Sequence, residues 1–295
     1  MYTIENDRLR IDIADPLDAE KLTTRFDYTG FITNVVLDKS ICFTATEPRS
    51  RKHPSSGGRG LCSAYRFDVF QEARIGDWVP RLGVGLIPKT DEQGFQNNKR
   101  YPCIPFEHEV VEQGPGQIVF HTLPRECMGY AAETSRCLWV KENSLFMAME
   151  LRNMGQKEIA FQEYCHNFLT MDGLAIGPDY MLEMPQVRNL RENVIAGPFA
   201  EAYYNIREHS IRPKAYSTGF AVFEIAEKDF ETSFPFTWRL SHDDAGIAVE
   251  GTEFFQPSEM CVWSKDHMLC PEVSYKAVAA PGGTVTWVRK WTFQG

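Results

Sequence analysis

The stretch FQEYCHNFLTMDG, residues 161–173, sets a histidine between an aromatic-flanked cysteine and an amide, in a chain with only 7 histidines. Imidazole titrates near neutrality, so a histidine in a wet cleft is the usual general acid or base. Its neighbours follow from strand alternation, which points successive side chains to opposite faces. Ile159, Phe161, Glu163 and Cys165 then share one face, and Ala160, Gln162, Tyr164 and His166 the other. The second face is too polar for a dry core and suits the floor of a cleft. The residues alone leave two readings open: His166 moves protons, or it satisfies local backbone groups, since histidine is intermediate in burial preference. A second titratable group, Glu272, follows Pro271 in HMLCPEVSYKAVAAPGG. A lone glutamate is ordinarily exposed. His108 lies in EHE and tempts a metal assignment, but alternation points Glu107 and Glu109 away from it.

Other chemistries lack their signatures. GVGLIPK is neither G-x-G-x-x-G nor a Walker loop, and there is no H-E-x-x-H. There is no G-x-S-x-G nucleophile elbow. The cysteines, at 42, 62, 103, 127, 137, 165, 261 and 270, form no C-x-x-C pair and show no zinc spacing. Neither a cofactor nor a metal is expected. The start MYTIENDRLRIDI has no apolar core of a signal peptide, so reduced thiols and a cytoplasmic location are expected. A net charge of −9, with no basic stripe beyond RSRK at 49–52, argues against a nucleic-acid partner. No run approaches the roughly 18 apolar residues of a membrane helix.

The elements that must position these groups are short strands. RLRIDIAD, FITNVVLD, GQIVFHTL, SLFMAMELRN, EIAFQEYC, STGFAVFEI, FTWRLS, GIAVEG, EMCVWS, SYKAVAA and TVTWVRKWTF all alternate apolar and polar residues. Turn residues separate them at intervals of about ten, the pattern of an all-β sandwich or barrel. DPLDAEKLTTRF offers one or two helical turns, with Asp15 as cap and Pro16 at the first position. NLRENVIAGPF offers another short helical piece. RSRKHPSSGGRG (49–60) and KTDEQGFQNNKRYP (89–102) read as long surface loops. Although 295 residues could make two domains, no boundary stands out, and all-β units run long. One antiparallel β domain over residues 1–295 is expected.

Several segments, in order, resemble the galactose mutarotase-like superfamily, which includes aldose 1-epimerases and hexose-6-phosphate epimerases. YTIENDRLRIDI and FDYTGFITNVVLD resemble its first two strands. EYCHNFLTMD resembles its mid-chain N-H-x-Y-F-N-L segment, with His166 at the matching position. CVWS (261–264), MLCPE, APGG and TVTWVRKWTF resemble its C-terminal layout, with Glu272 matching the family glutamate. The L-H-G-G or H-G-F-A-R segment is absent, and GDWVPRLGVGLIPK stands in its place. The resemblance implies a large β-sandwich (supersandwich) with few helices. It also implies a cofactor-free mutarotase acting on a small-molecule carbohydrate as a monomer or homodimer. Glu272 would be the base and His166 the acid, each kept charged by attraction to the other. Trp78, Trp263 and Tyr164 are candidates for the platform under a sugar ring, and Asn167 and Arg81 for hydroxyl contacts. Arg81 or Lys89 would replace the missing cation. A carbohydrate-binding or sensor protein, or a lyase or hydrolase, on the same scaffold are the alternatives.

Overall fold

A computed structural model describes residues 1–21, 23–47, 56–188, 190, 195–196, 204–216 and 221–295. Most of the loop expected at 49–60, and most of the helical piece expected at 189–199, lie outside the described residues. The expected turn after Asp15 is a 3-10 helix, Pro16–Lys21.

Two antiparallel 10-stranded sheets dominate the described residues. The first runs in space through Tyr2–Glu5, Leu9–Ile13, Ile32–Leu37, Leu61–Arg66, Ile159–Asn167, Met268–Ala279, Glu259–Lys265, Ala221–Ala226 and Ile195–Ala196, with Ile41–Cys42 beside Ile32–Leu37. The second has Thr284–Gln294 near its middle, between Ile247–Glu253 and Ser144–Asn153. A 3-stranded sheet of Trp78–Arg81, Gly85–Pro88 and Ile104–Pro105 stands apart. This is the all-β sandwich that alternation predicts.

The sheets face each other across one large apolar core. Phe161 of the first meets Trp287 of the second with ring centroids 5.5 Å apart, and Phe43 meets Phe293 at 4.9 Å. Full burial of such a side chain contributes roughly 1.5–3 kcal/mol. Ile159, Phe161, Glu163 and Cys165 point into this core, as the alternation requires. The other face of the first sheet carries a second, smaller apolar cluster that includes Cys62, Ala64, Tyr164, Phe168, Met268 and Cys270. That cluster lies under the site.

Candidate active site

Ile159–Asn167 and Met268–Ala279 are neighbours in the first sheet, and together they bring His166 to Glu272. His166 Nε2 lies 3.1 Å from Glu272 Oε1, with the side chains only 6% and 7% exposed. Residues 106 positions apart thus touch at the floor of a cavity of about 530 Å³. The imidazole is wedged among aromatic rings. Phe168 stacks on it at 3.8 Å and 2°, while Phe26 and Trp263 present their edges at 6.1 and 6.2 Å. Nδ1 has no hydrogen-bond partner among the described residues, so stacking rather than a second hydrogen bond orients the ring. Stacking needs Gly58: a Cβ there would stand 2.0 Å from the Phe168 ring.

A separation of 3.1 Å suits an ion pair or a neutral hydrogen bond equally well. Burial favours the neutral form. It pushes the Glu272 carboxyl up to about 8, with Arg25 and Arg66 pulling the other way. It pushes His166 well below its ordinary value, and the Arg25 guanidinium adds to the push. Desolvation thus opposes the charged form of both groups, against the expectation that mutual attraction keeps both charged. Protonated Glu272 with neutral imidazole contains the same protons as carboxylate with imidazolium. The two arrangements differ only in where one proton sits along the 3.1 Å contact.

Around this pair the cavity is lined by Arg25, Arg66, Tyr164, Phe168 and Trp263, among others. Arg25 donates to the Tyr164 hydroxyl at 3.2 Å and to Ser56 Oγ at 2.8 Å. Burial opposes its charge, but Tyr164 and Glu272 outweigh burial and hold the guanidinium above its ordinary range. Arg66 lies over the Tyr164 ring at 5.3 Å and grips Glu259 at 2.8 Å. Glu47, also at the cavity, accepts from Ser56 and from the Gly58 N–H.

The other residues expected from the sequence fall into two groups. Tyr164 and Trp263 line the cavity. Arg81 also lines it, but its guanidinium is committed: it donates to the backbone carbonyls of Thr24, Arg25 and Tyr65 and lies 4.0 Å from the Phe95 ring centroid. Burial lowers its pKa to about 10. It braces the segment that carries Arg25. Three residues lie away from the cavity lining. Trp78 is 39% exposed on the small sheet. Lys89 is buried, with Nζ donating to the Ala73 carbonyl and reaching Glu92. Asn167 faces the core, because it follows His166 by one residue and so takes the opposite face. His108 hydrogen-bonds Thr122 across its strand pair, and among the described residues no group of three or more His, Cys, Asp or Glu gathers to hold a metal.

Sequence reasoning missed Arg25, Arg66 and Phe168. Arg25 had no signal, since TTRF belongs to no motif. Phe168 was visible as the residue two beyond His166 in HNF, but the chain leaves the strand at Asn167, so strand alternation could not place it.

No protein-family profile and no curated protein matches the chain. Solved structures do match over nearly the whole length. A galactose mutarotase-like protein from Lactobacillus casei shares 14% identity at a TM-score of 0.60, covering 99% of this chain and 99% of its own. A galactose mutarotase related enzyme from Lactobacillus acidophilus shares 14% at 0.58, covering 100% and 97%. A candidate aldose 1-epimerase from Escherichia coli K12 shares 10% at 0.61, covering 99% and 98%. The chain has the galactose mutarotase fold in a divergent sequence. No helix among the described residues is long and apolar enough to cross a membrane.

Proposed function

We propose that the chain is an aldose 1-epimerase-like enzyme that interconverts the anomers of a free or modified sugar by acid/base ring opening. The observation that carries this reading is the His166–Glu272 contact at the cavity floor, which sets two groups able to transfer protons 3.1 Å apart. In a pyranose the anomeric hydroxyl and the ring oxygen are bonded to the same carbon. An acid and a base side by side can therefore address both, each within hydrogen-bond reach of about 2.6–3.2 Å.

The proton first passes from Glu272 to His166 as sugar hydroxyls enter and solvate the charged form, with Arg25 nearby to stabilise the carboxylate. Glu272 then takes the proton of the anomeric hydroxyl while His166 gives one to the ring oxygen. The bond from carbon 1 to the ring oxygen breaks and leaves an open-chain aldehyde. Rotation about the carbon 1–carbon 2 bond presents the other carbonyl face, and the reverse transfers close the ring. The pair ends as it began. Trp263 and Phe168 supply apolar surface beside the ring. Glu163, the carboxylate on the strand of His166, faces the core, so it gives no support to a hydrolase reading.

Polarimetry or NMR exchange with a panel of freshly dissolved sugars tests the proposal. Wild-type protein should speed anomer equilibration of at least one sugar, and Glu272→Gln should remove that effect. Binding without acceleration by the wild type would assign the cavity to a carbohydrate-binding protein instead, and appearance of an unsaturated or shortened sugar would assign it to a lyase or hydrolase.

A further inference from the structure

The two strands that carry His166 and Glu272 are not zipped together where those residues sit. Their ladder runs from Ile159↔Ala279 to Tyr164↔Ser274 and stops. Among the described residues it resumes in the single bridge Leu169↔Leu269, with Leu269 N–H donating to the Leu169 carbonyl at 3.0 Å. Extending the register places His166 opposite Glu272 and Asn167 opposite Pro271, inside the gap. Both strands stay paired to their outer neighbours there: Cys165, His166 and Asn167 to Ser63, Cys62 and Leu61, and Pro271 and Glu272 to Val262 and Cys261. The sheet is split along one seam and intact on either side.

Pro271 accounts for part of the split. Within an antiparallel strand a residue's N–H and C=O face the same neighbour. The Pro271 carbonyl faces Asn167, so the N–H that proline lacks is the one this seam would have used. Asn167 fills the vacancy with its side chain. Its Nδ2 donates to the Pro271 carbonyl at 2.5 Å, and its Oδ1 accepts from Trp291 Nε1 of the opposite sheet at 3.1 Å. The amide orientation is unambiguous, because a carbonyl only accepts and an indole N–H only donates. Asn167 and Trp291 are both fully buried.

The geometry points to Asn167 as a positioning residue: its side chain, held by Trp291, clamps the Pro271 carbonyl across the split and thereby sets the separation of His166 and Glu272. The two clamped residues are the immediate chain neighbours of the acid and the base, so a change in the clamp reaches the pair through one peptide unit on each side. This rests on the proposed proton-transfer role of the pair, but the clamp can be measured without any sugar.

Histidine-ring ¹⁵N NMR of the full chain, followed against pH, reads the protonation of His166 and its coupling to Glu272. Three proteins are compared: wild type, Asn167→Ala, and Trp291→Phe, which keeps Asn167 but removes the donor that holds its oxygen. Both variants should move the pH at which the His166 signal senses Glu272 away from that of the wild type, Asn167→Ala by more. Anomer exchange should fall about 10²-fold in kcat for Asn167→Ala with KM unchanged, the cost of misplacing a reacting group by about an ångström. Lower melting temperatures with an unmoved His166 titration and unchanged kcat would make Asn167 a purely structural residue and overturn the inference. If Asn167→Ala does not fold, the Trp291→Phe titration decides alone. If wild type accelerates no sugar, the enzyme reading fails while the titration still decides the clamp.

Discussion

Two buried acid–base clusters stand back to back on the strand Ile159–Asn167. On the core side, Glu163 accepts from Arg289 at 2.5 Å and from Trp287 at 3.0 Å, and Arg289 reaches Glu253 at 2.7 Å. On the cavity side, Glu272 meets His166 at 3.1 Å, and among the described residues no guanidinium hydrogen-bonds that carboxyl. The core cluster is fully buried, whereas the cavity pair keeps 6% and 7% exposure on the cavity floor. They differ in what faces the carboxylate. A guanidinium keeps its proton at any working pH, so Arg289 is a fixed positive charge at the centre of the core cluster. An imidazole can hold a proton or release it, so the proposed function of the cavity pair needs a mobile one. The partner of a buried carboxylate, and not burial alone, sets whether a proton can be exchanged there.

The largest effect that could break this contrast belongs to Glu272→Gln. Anomer exchange should fall by about 10²–10⁴, the usual worth of a positioned proton transfer. The same substitution should stabilise the fold, in a pH-dependent way. Native Glu272 keeps its proton until about 8, whereas in the unfolded chain it loses it near 4.5. Between those values the native state binds the extra proton, so wild-type stability falls as pH rises through the window. The melting-temperature gain of the variant should be small at the acid end of the window, grow across it and level off above it. A gain independent of pH would show that the carboxyl is ionised throughout.

Arg289→Met attacks the other cluster. It leaves two buried carboxylates without their cation, and urea unfolding should register a loss of about 3–5 kcal/mol. A loss no greater than that of a surface substitution would mean that the core array is not held by its guanidinium. The wild-type pH–rate profile sharpens the contrast less drastically. Its alkaline limb should fall above about 8, as the pair loses its one proton, and its acid limb should lie well below the ordinary histidine value. The smallest effect is expected at Trp78→Ala, outside both clusters: stability within about 0.5 kcal/mol and an unchanged rate, by denaturation and polarimetry.

The contrast between the two faces was legible in the sequence, because it follows from a period of two. FQEYCH separates Glu163 from His166 whatever the rest of the chain does. Alternation also marked most long strands, but it passed over Leu61–Arg66, where five successive residues are buried and no alternation exists. Glu272 entered through likeness to a known layout, since its local residues point only to an exposed glutamate. The charge state was not legible at all. Whether attraction or desolvation wins depends on Phe26, Phe168 and Trp263 closing over the imidazole, and those come from three separate segments. The cations were misread for a related reason. Arg81 and Lys89 lie where the missing motif would be, yet backbone carbonyls occupy them, and Arg25 takes the place at the cavity.

Gly58 gives the site a dependence on the absence of a single carbon. Its backbone N–H is tethered to Glu47, and its missing side chain is the space into which the Phe168 ring fits. Any larger residue at position 58 would tilt that ring off the imidazole and admit water. A hydrated His166 would lose the larger of the two pushes on its basicity and keep the push of Arg25. The stacking that covers the imidazole is thus guarded by a glycine.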